Sequence, residues 1–129
     1  MSHPIMFDDD DPLLGRVREI ALALPEAAMK VSHGRPAFYT QKVFCYYGGS
    51  IKVDGDWMPH DHAVIIQPDP DDAPALRQDP RFWAPGYLGA SGWLGIDVDD
   101  RTDWAEIAEL IDASYRVTAP RRLVRQLDA

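Results

Sequence analysis

Apolar residues at Leu13, Leu14, Val17, Ile20, Ala21 and Leu24 recur at helical spacing and predict a first helix with one buried face. Asp11 fits the N-cap, and Pro12 fits the first helical position, where its missing N–H costs nothing. Pro25 marks the stop. The pattern then turns to β-type. Ser32-His33-Gly34-Arg35-Pro36 reads as turn chemistry, followed by short runs at Ala37 to Thr40 and Val43 to Tyr47. Gly48-Gly49 and Asp54-Gly55 read as breaks around a short strand, Ile51 to Val53. Ala63 to Gln67, continuous and β-branched, is the clearest central strand. Three or four strands in succession predict an antiparallel meander.

Beyond the proline- and acid-rich loop Pro68 to Asp72, a short helix is expected over Ala73 to Gln78, and a strand over Trp93 to Val98. Asp103 predicts the next N-cap, with Glu106 completing a capping box. Trp104, Ile107, Ala108, Ile111 and Tyr115 line that helix's buried face. Pro120 opens a terminal helix with Leu123, Val124 and Leu127 on one side and arginines on the other. Helices alternating with β-runs predict an α+β fold, helices layered on an antiparallel sheet. The expected division is an acidic N-terminal tail at 1–11 and a single domain at 12–129.

The length of 129 residues suits one domain with one core. No apolar run approaches bilayer length, and the N-terminal residues lack the basic start and apolar stretch of a secretory signal. The lone Cys45 cannot form an internal disulfide, which fits a cytoplasmic location. The net charge of −8 opposes general nucleic-acid binding, because phosphates repel carboxylates. The charge is segregated, however. Lys30 to Val53 and Ala113 to Leu127 contain no Asp or Glu, and between them hold eight of the 13 Lys and Arg residues. Their cations are Lys30, Arg35, Lys42 and Lys52, then Arg116, Arg121, Arg122 and Arg125. Such a map points to an anionic partner, although cations on strand faces and at helix C-termini would produce it too.

Candidate chemistry is sparse. His60-Asp61-His62 would set two imidazoles on one strand face, but no further ligand follows at a metal-site spacing. With Pro59 before it, the triplet reads as an exposed polar turn, and no metal is assigned. Cys45 lies in an apolar run and reads as a buried, inert thiol. Neither Ser32 nor Ser91 sits in a nucleophile-elbow motif. Glycines recur at every third position from Gly86 to Gly95, between Tyr87, Leu88, Trp93 and Leu94. The spacing matches neither a phosphate loop nor a dinucleotide loop. Two readings remain: tight turns in a bent hairpin with Tyr87 and Trp93 packed on the helices, or a stacking surface for bases or planar ligands.

Several segments together resemble the MmcQ/YjbR-like family: Leu24-Pro25-Glu26-Ala27, His33-Gly34-Arg35-Pro36-Ala37-Phe38, Lys42-Val43-Phe44, Gly86-Tyr87-Leu88-Gly89 with Gly92-Trp93-Leu94-Gly95-Ile96, and Ala113-Ser114-Tyr115-Arg116. They cover nearly all of Pro12 to Val124 in order. The resemblance implies an α-β(3)-α-β(2)-α arrangement, similar to secretion-chaperone-like folds, and a DNA-binding role through projecting hairpins. It brings no catalytic residues with it. The expectation is therefore a non-enzymatic cytoplasmic binding protein without cofactor or membrane partner, whose eight named cations meet DNA or another anion. The alternative is a small-molecule binding or sequestering module, with Trp57, Trp83, Tyr87 and Trp93 lining a pocket for a planar ligand.

Overall fold

The computed structural model describes residues 4–129. Helix α1 (Pro12–Leu22) starts as its sequence demands: the Asp11 side chain accepts from the Leu13 N–H, and Leu14, Val17 and Ala21 are buried. Four strands follow, β1 (Ala28–Ser32), β2 (Arg35–Tyr39), β3 (Val43–Val53) and β4 (Asp56–Ile66). Then come α2 (Ala73–Gln78), the two-residue β5 (Phe82–Trp83), a 3-10 turn (Leu88–Ser91), β6 (Leu94–Asp97), α3 (Trp104–Thr118) and α4 (Arg121–Asp128). The α+β class is as expected, and the first β-run contains four strands, within the three or four that the pattern predicts and one more than the α-β(3)-α-β(2)-α arrangement the resemblance implies.

All six strands form one antiparallel sheet in the order β1-β2-β3-β4-β6-β5. Two tight hairpins build its first half. His33 and Gly34 have φ of 52° and 83°, and Asp54 and Gly55 have 50° and 87°. Positive φ at both central residues is the type I′ geometry that matches strand twist. Gly48-Gly49 does not break the chain. Gly48, at φ 84°, lies where the β3–β4 register shifts between Tyr47 and Gly49, so β3 bends and continues. Pro59, His60 and His62 likewise belong to β4 and not to a turn. From the two-residue turn outward, Ser50–Pro59 falls on a non-hydrogen-bonded pair, so the missing N–H of Pro59 costs the β3–β4 ladder nothing.

Strand alternation gives the sheet two different faces. Phe38, Cys45, Tyr47, Val64, Ile66, Leu94 and Ile96 join a buried cluster with Leu14 and Val17 of α1, Ile107, Ile111 and Tyr115 of α3, and Leu123 of α4. The opposite parity sets a row Ala37, Tyr46, Ile65, Gly95, Trp83 across the face that carries no helix. Ser114 ties α3 to the sheet: its buried hydroxyl donates to the Phe44 carbonyl and accepts from the Gln67 N–H. Asp103 caps α3 through the Ala105 and Glu106 N–H groups, but the expected capping box is not closed. The Glu106 carboxylate instead receives two hydrogen bonds from Arg81.

Candidate functional site

The segment 84–93 crosses the helix-free face. Trp83 lies flat over Gly95, where an added Cβ would come within 2.7 Å of the indole. The Gly86 N–H donates to the Ser50 carbonyl (2.8 Å), which the non-hydrogen-bonded pairing leaves pointing away from β4. Gly86 has no side chain to obstruct Trp57, whose ring would otherwise lie 2.3 Å from its Cβ. Trp93 packs edge-on to Tyr46, with ring centroids 5.4 Å apart. These glycines therefore serve close approach by aromatic rings.

At the far end of this segment, Tyr87 lies against Trp57 of the β3–β4 hairpin, with centroids 5.5 Å apart and planes inclined by 31°. Lys52 Nζ sits 5.5 Å from the centre of the same indole. Tyr87 is 87% exposed and Trp57 45% exposed. Tyr87 also adopts φ 63°, which a bulky residue rarely does without tertiary constraint. The expectation that Tyr87 and Trp93 pack on the helices is thus corrected: Trp93 meets Tyr46 on the helix-free face, and Tyr87 stands exposed against Trp57 at the hairpin. Chemically, the Lys52–Trp57–Tyr87 group offers an open π-face with a cation beside it.

The four aromatic residues suggested as pocket lining do not enclose a common cavity. Trp83 stacks with His60 (4.3 Å), Trp93 meets Tyr46, and only Trp57 and Tyr87 form a pair. One concavity, of about 460 Å³, is lined by Arg81, Arg101, Asp97 and Glu106 among others; another, of about 320 Å³, by Met6, Phe7, Asp8, Asp11, Asp61 and His62. None of the four rings lines either.

The eight cations are dispersed. Arg35 is only 7% exposed and pairs with Asp61 at 3.1 Å, so it is not a surface contact. Arg116 is held between Asp112 and Asp128, and Arg122 by Glu26. The bonds from Arg122 keep the Glu26 carboxyl below its ordinary range, and those that Arg116 donates to Asp128 and Asp112 raise its own guanidinium. Among the described residues, Lys30, Lys42, Lys52, Arg121 and Arg125 form no salt bridge. They share no single face. Lys42 and Lys52 bracket β3, whose length places them about 30 Å apart. Lys30 lies over the Tyr39 ring on the helix-free side, whereas Arg121 and Arg125 are carried by α4 on the helical side. The hairpin tip also bears exposed Asp54 and Asp56.

Two histidine–carboxylate contacts escaped sequence reasoning. His60 Nδ1 lies 2.7 Å from Asp97 Oδ1, and His62 Nδ1 lies 2.9 Å from Asp11 Oδ2. They sit apart, on different partners. Among the described residues, no three His, Cys, Asp or Glu side chains converge as a metal site. Cys45 is buried in the core, and burial pushes its thiol up, away from the reactive thiolate.

No curated protein matches the chain. The YjbR family model matches residues 22–117, from the end of α1 through nearly all of α3, and so takes in the whole sheet, the Trp57–Tyr87 pair and the segment that crosses the helix-free face. The chain belongs to the YjbR family.

Proposed function

We propose that this chain is a non-enzymatic binding protein that takes nucleobases on the Lys52–Trp57–Tyr87 platform. The observation that carries this reading is the exposed ring of Tyr87, held at positive φ against Trp57 with Lys52 alongside. Stacking on such a ring contributes about 1–3 kcal/mol per base and is indifferent to base identity. The lysine supplies a partner for a neighbouring phosphate. Among the described residues Lys52 is the cation seen against the platform, and Asp54 and Asp56 lie close by in sequence, so stacking outweighs charge in this reading.

The test is tryptophan fluorescence titration with single-stranded and duplex oligonucleotides at low salt. Binding is expected, and Trp57→Ala or Tyr87→Ala should weaken it by at least about tenfold. Absence of binding to every nucleic acid at low salt overturns the reading. The acidic tip favours one second reading, in which a planar uncharged ligand stacks without any phosphate contact. Nucleosides binding as tightly as oligonucleotides would select it.

A further inference from the structure

Among the described residues, one edge of the six-stranded sheet is left open for pairing. β5, at one end, is two residues long. Where β4 runs past β6, its outer edge carries Pro59, which has no N–H to offer. Where β3 runs past β2, the Gly86 N–H meets the Ser50 carbonyl. β1, at the other end, is five residues without proline, paired unbroken with β2 from Ala28–Tyr39 to Ser32–Arg35. The two-residue turn makes Ser32–Arg35 a hydrogen-bonded pair, and Lys30–Ala37 and Ala28–Tyr39 follow in the same class. Met29 and Val31 alternate with these, and Val31 faces Pro36, which lacks an N–H. The N–H and C=O groups of Met29 and Val31 therefore point off the edge. Among the described residues, no backbone group meets them there.

We infer that β1 is a docking edge for an extended peptide of alternating apolar and acidic residues, which joins the sheet as a further strand. Directly opposed residues on neighbouring strands share a face, so the side chains of β1 dictate what the partner carries. Met29 packs against the core on the helical side, and Val31, on the same side, is 47% exposed. Apolar residues opposite these two would cover that margin of the core. Lys30 points to the helix-free side, over the Tyr39 ring, and forms no salt bridge among the described residues. An acid opposite Lys30 would supply its counter-charge. No Asp or Glu occurs from Ala27 to Val53 to compete for that place from neighbouring sequence, although the chain as a whole carries −8. The same lysine opposes a second copy of this chain as the occupant. Antiparallel pairing of β1 with itself over its full length sets Lys30 against Lys30, a like-charge contact. The edge is separate from the Trp57–Tyr87 pair, so the inference does not depend on the nucleobase reading.

The experiment titrates the full chain with a synthetic peptide of about eight residues alternating valine and glutamate. An alternating valine–lysine peptide and a shuffled valine–glutamate peptide serve as controls. The valine–glutamate peptide should bind and slow amide hydrogen exchange at Met29 and Val31, whose N–H groups face outward. Lys30 and Ser32, already bonded to β2, should change little. Val31→Pro deletes an outward N–H without touching the β1–β2 ladder and should weaken binding about tenfold. Lys30→Glu leaves the backbone unchanged and should transfer the preference to the valine–lysine peptide, which keeps the test decisive even where proline loosens β1. Failure of the valine–glutamate peptide to bind overturns the proposal. Equal binding by the shuffled or the valine–lysine peptide, or protection that bypasses Met29 and Val31, also overturns it. Dimerisation of the peptide-free chain in sedimentation, lost in Val31→Pro, assigns the edge to a second copy instead.

Discussion

The hydroxyl of buried Tyr47 donates to Asp11 Oδ2, while Asp11 Oδ1 accepts from the Leu13 N–H at the start of α1. One carboxylate thus caps a helix and fixes it to the central strand of the sheet, with His62 as a third partner. Replacing it should be costly. Asp11→Ala removes a cap worth about 1 kcal/mol and leaves the Tyr47 hydroxyl with His62 Nδ1 in place of a carboxylate, so chemical denaturation should show a loss of about 1–3 kcal/mol. Asp11→Asn retains the cap and should lose less.

The same group carries a pH signature. Burial alone would raise the Asp11 carboxyl, but the hydrogen bonds from Tyr47 and Leu13 and the charge of His62 outweigh it and hold the group below its ordinary 3.8. A depressed carboxyl contributes stability that is fully present above the unfolded value and is lost as pH falls through the folded one. The stability gap between the wild-type chain and Asp11→Asn should therefore be widest near neutrality and close below about pH 3, as followed by denaturant titration at several pH values.

Ser114→Ala should destabilise by about 2–4 kcal/mol in the same assay, because it deprives both the Phe44 carbonyl and the Gln67 N–H of a partner. A cavity effect would be minor, since only an oxygen is removed.

Gly95→Ala should cost about 1–3 kcal/mol by driving a methyl group into the Trp83 indole. A Trp83→Leu, Gly95→Ala double variant should show strong non-additivity in thermal melts, since the obstructing ring is gone.

Tyr87 allows stability and binding to be separated. Tyr87→Gly should be more stable than Tyr87→Ala by about 1 kcal/mol, because glycine accepts φ 63° without strain. Both should lose affinity for single strands equally. Arg121→Gln with Arg125→Gln should leave that affinity unchanged, since neither side chain takes part in the Lys52–Trp57–Tyr87 contacts.

The helices were legible because each has a periodic apolar face and, for α1 and α3, an aspartate cap. The Ala63 to Ile66 part of β4 was legible because it is buried on both faces. The outer half of the β3–β4 hairpin was not. It projects beyond the core, so Trp57 to His62 carries no apolar alternation, and Pro59 mimics a break. β1 was hidden for a related reason: as an edge strand it leaves Lys30 and Val31 in solvent. The Gly48-Gly49 pair resembles punctuation, and only the register shows that it runs on inside β3, opposite extra residues that β4 carries between Val64 and His60. At the candidate site, Tyr87 and Trp57 were each visible as aromatic residues, but their stacking depends on Gly86 lying across β3. Nothing local distinguishes buried Arg35 from exposed Lys42.

The order in which the strands occur has a kinetic consequence. β1 to β4 form a chain of hairpins, so their pairings join near neighbours and close at little entropic cost. β6 and the two-residue β5 reach the sheet only after the loop and helix that follow β4, and β5 is held there by the shortest ladder in the molecule. The segment bearing Tyr87 and Trp93 hangs between these two strands. This topology predicts that the segment joins the sheet late and exchanges its amide hydrogens faster than the four-stranded meander beneath it.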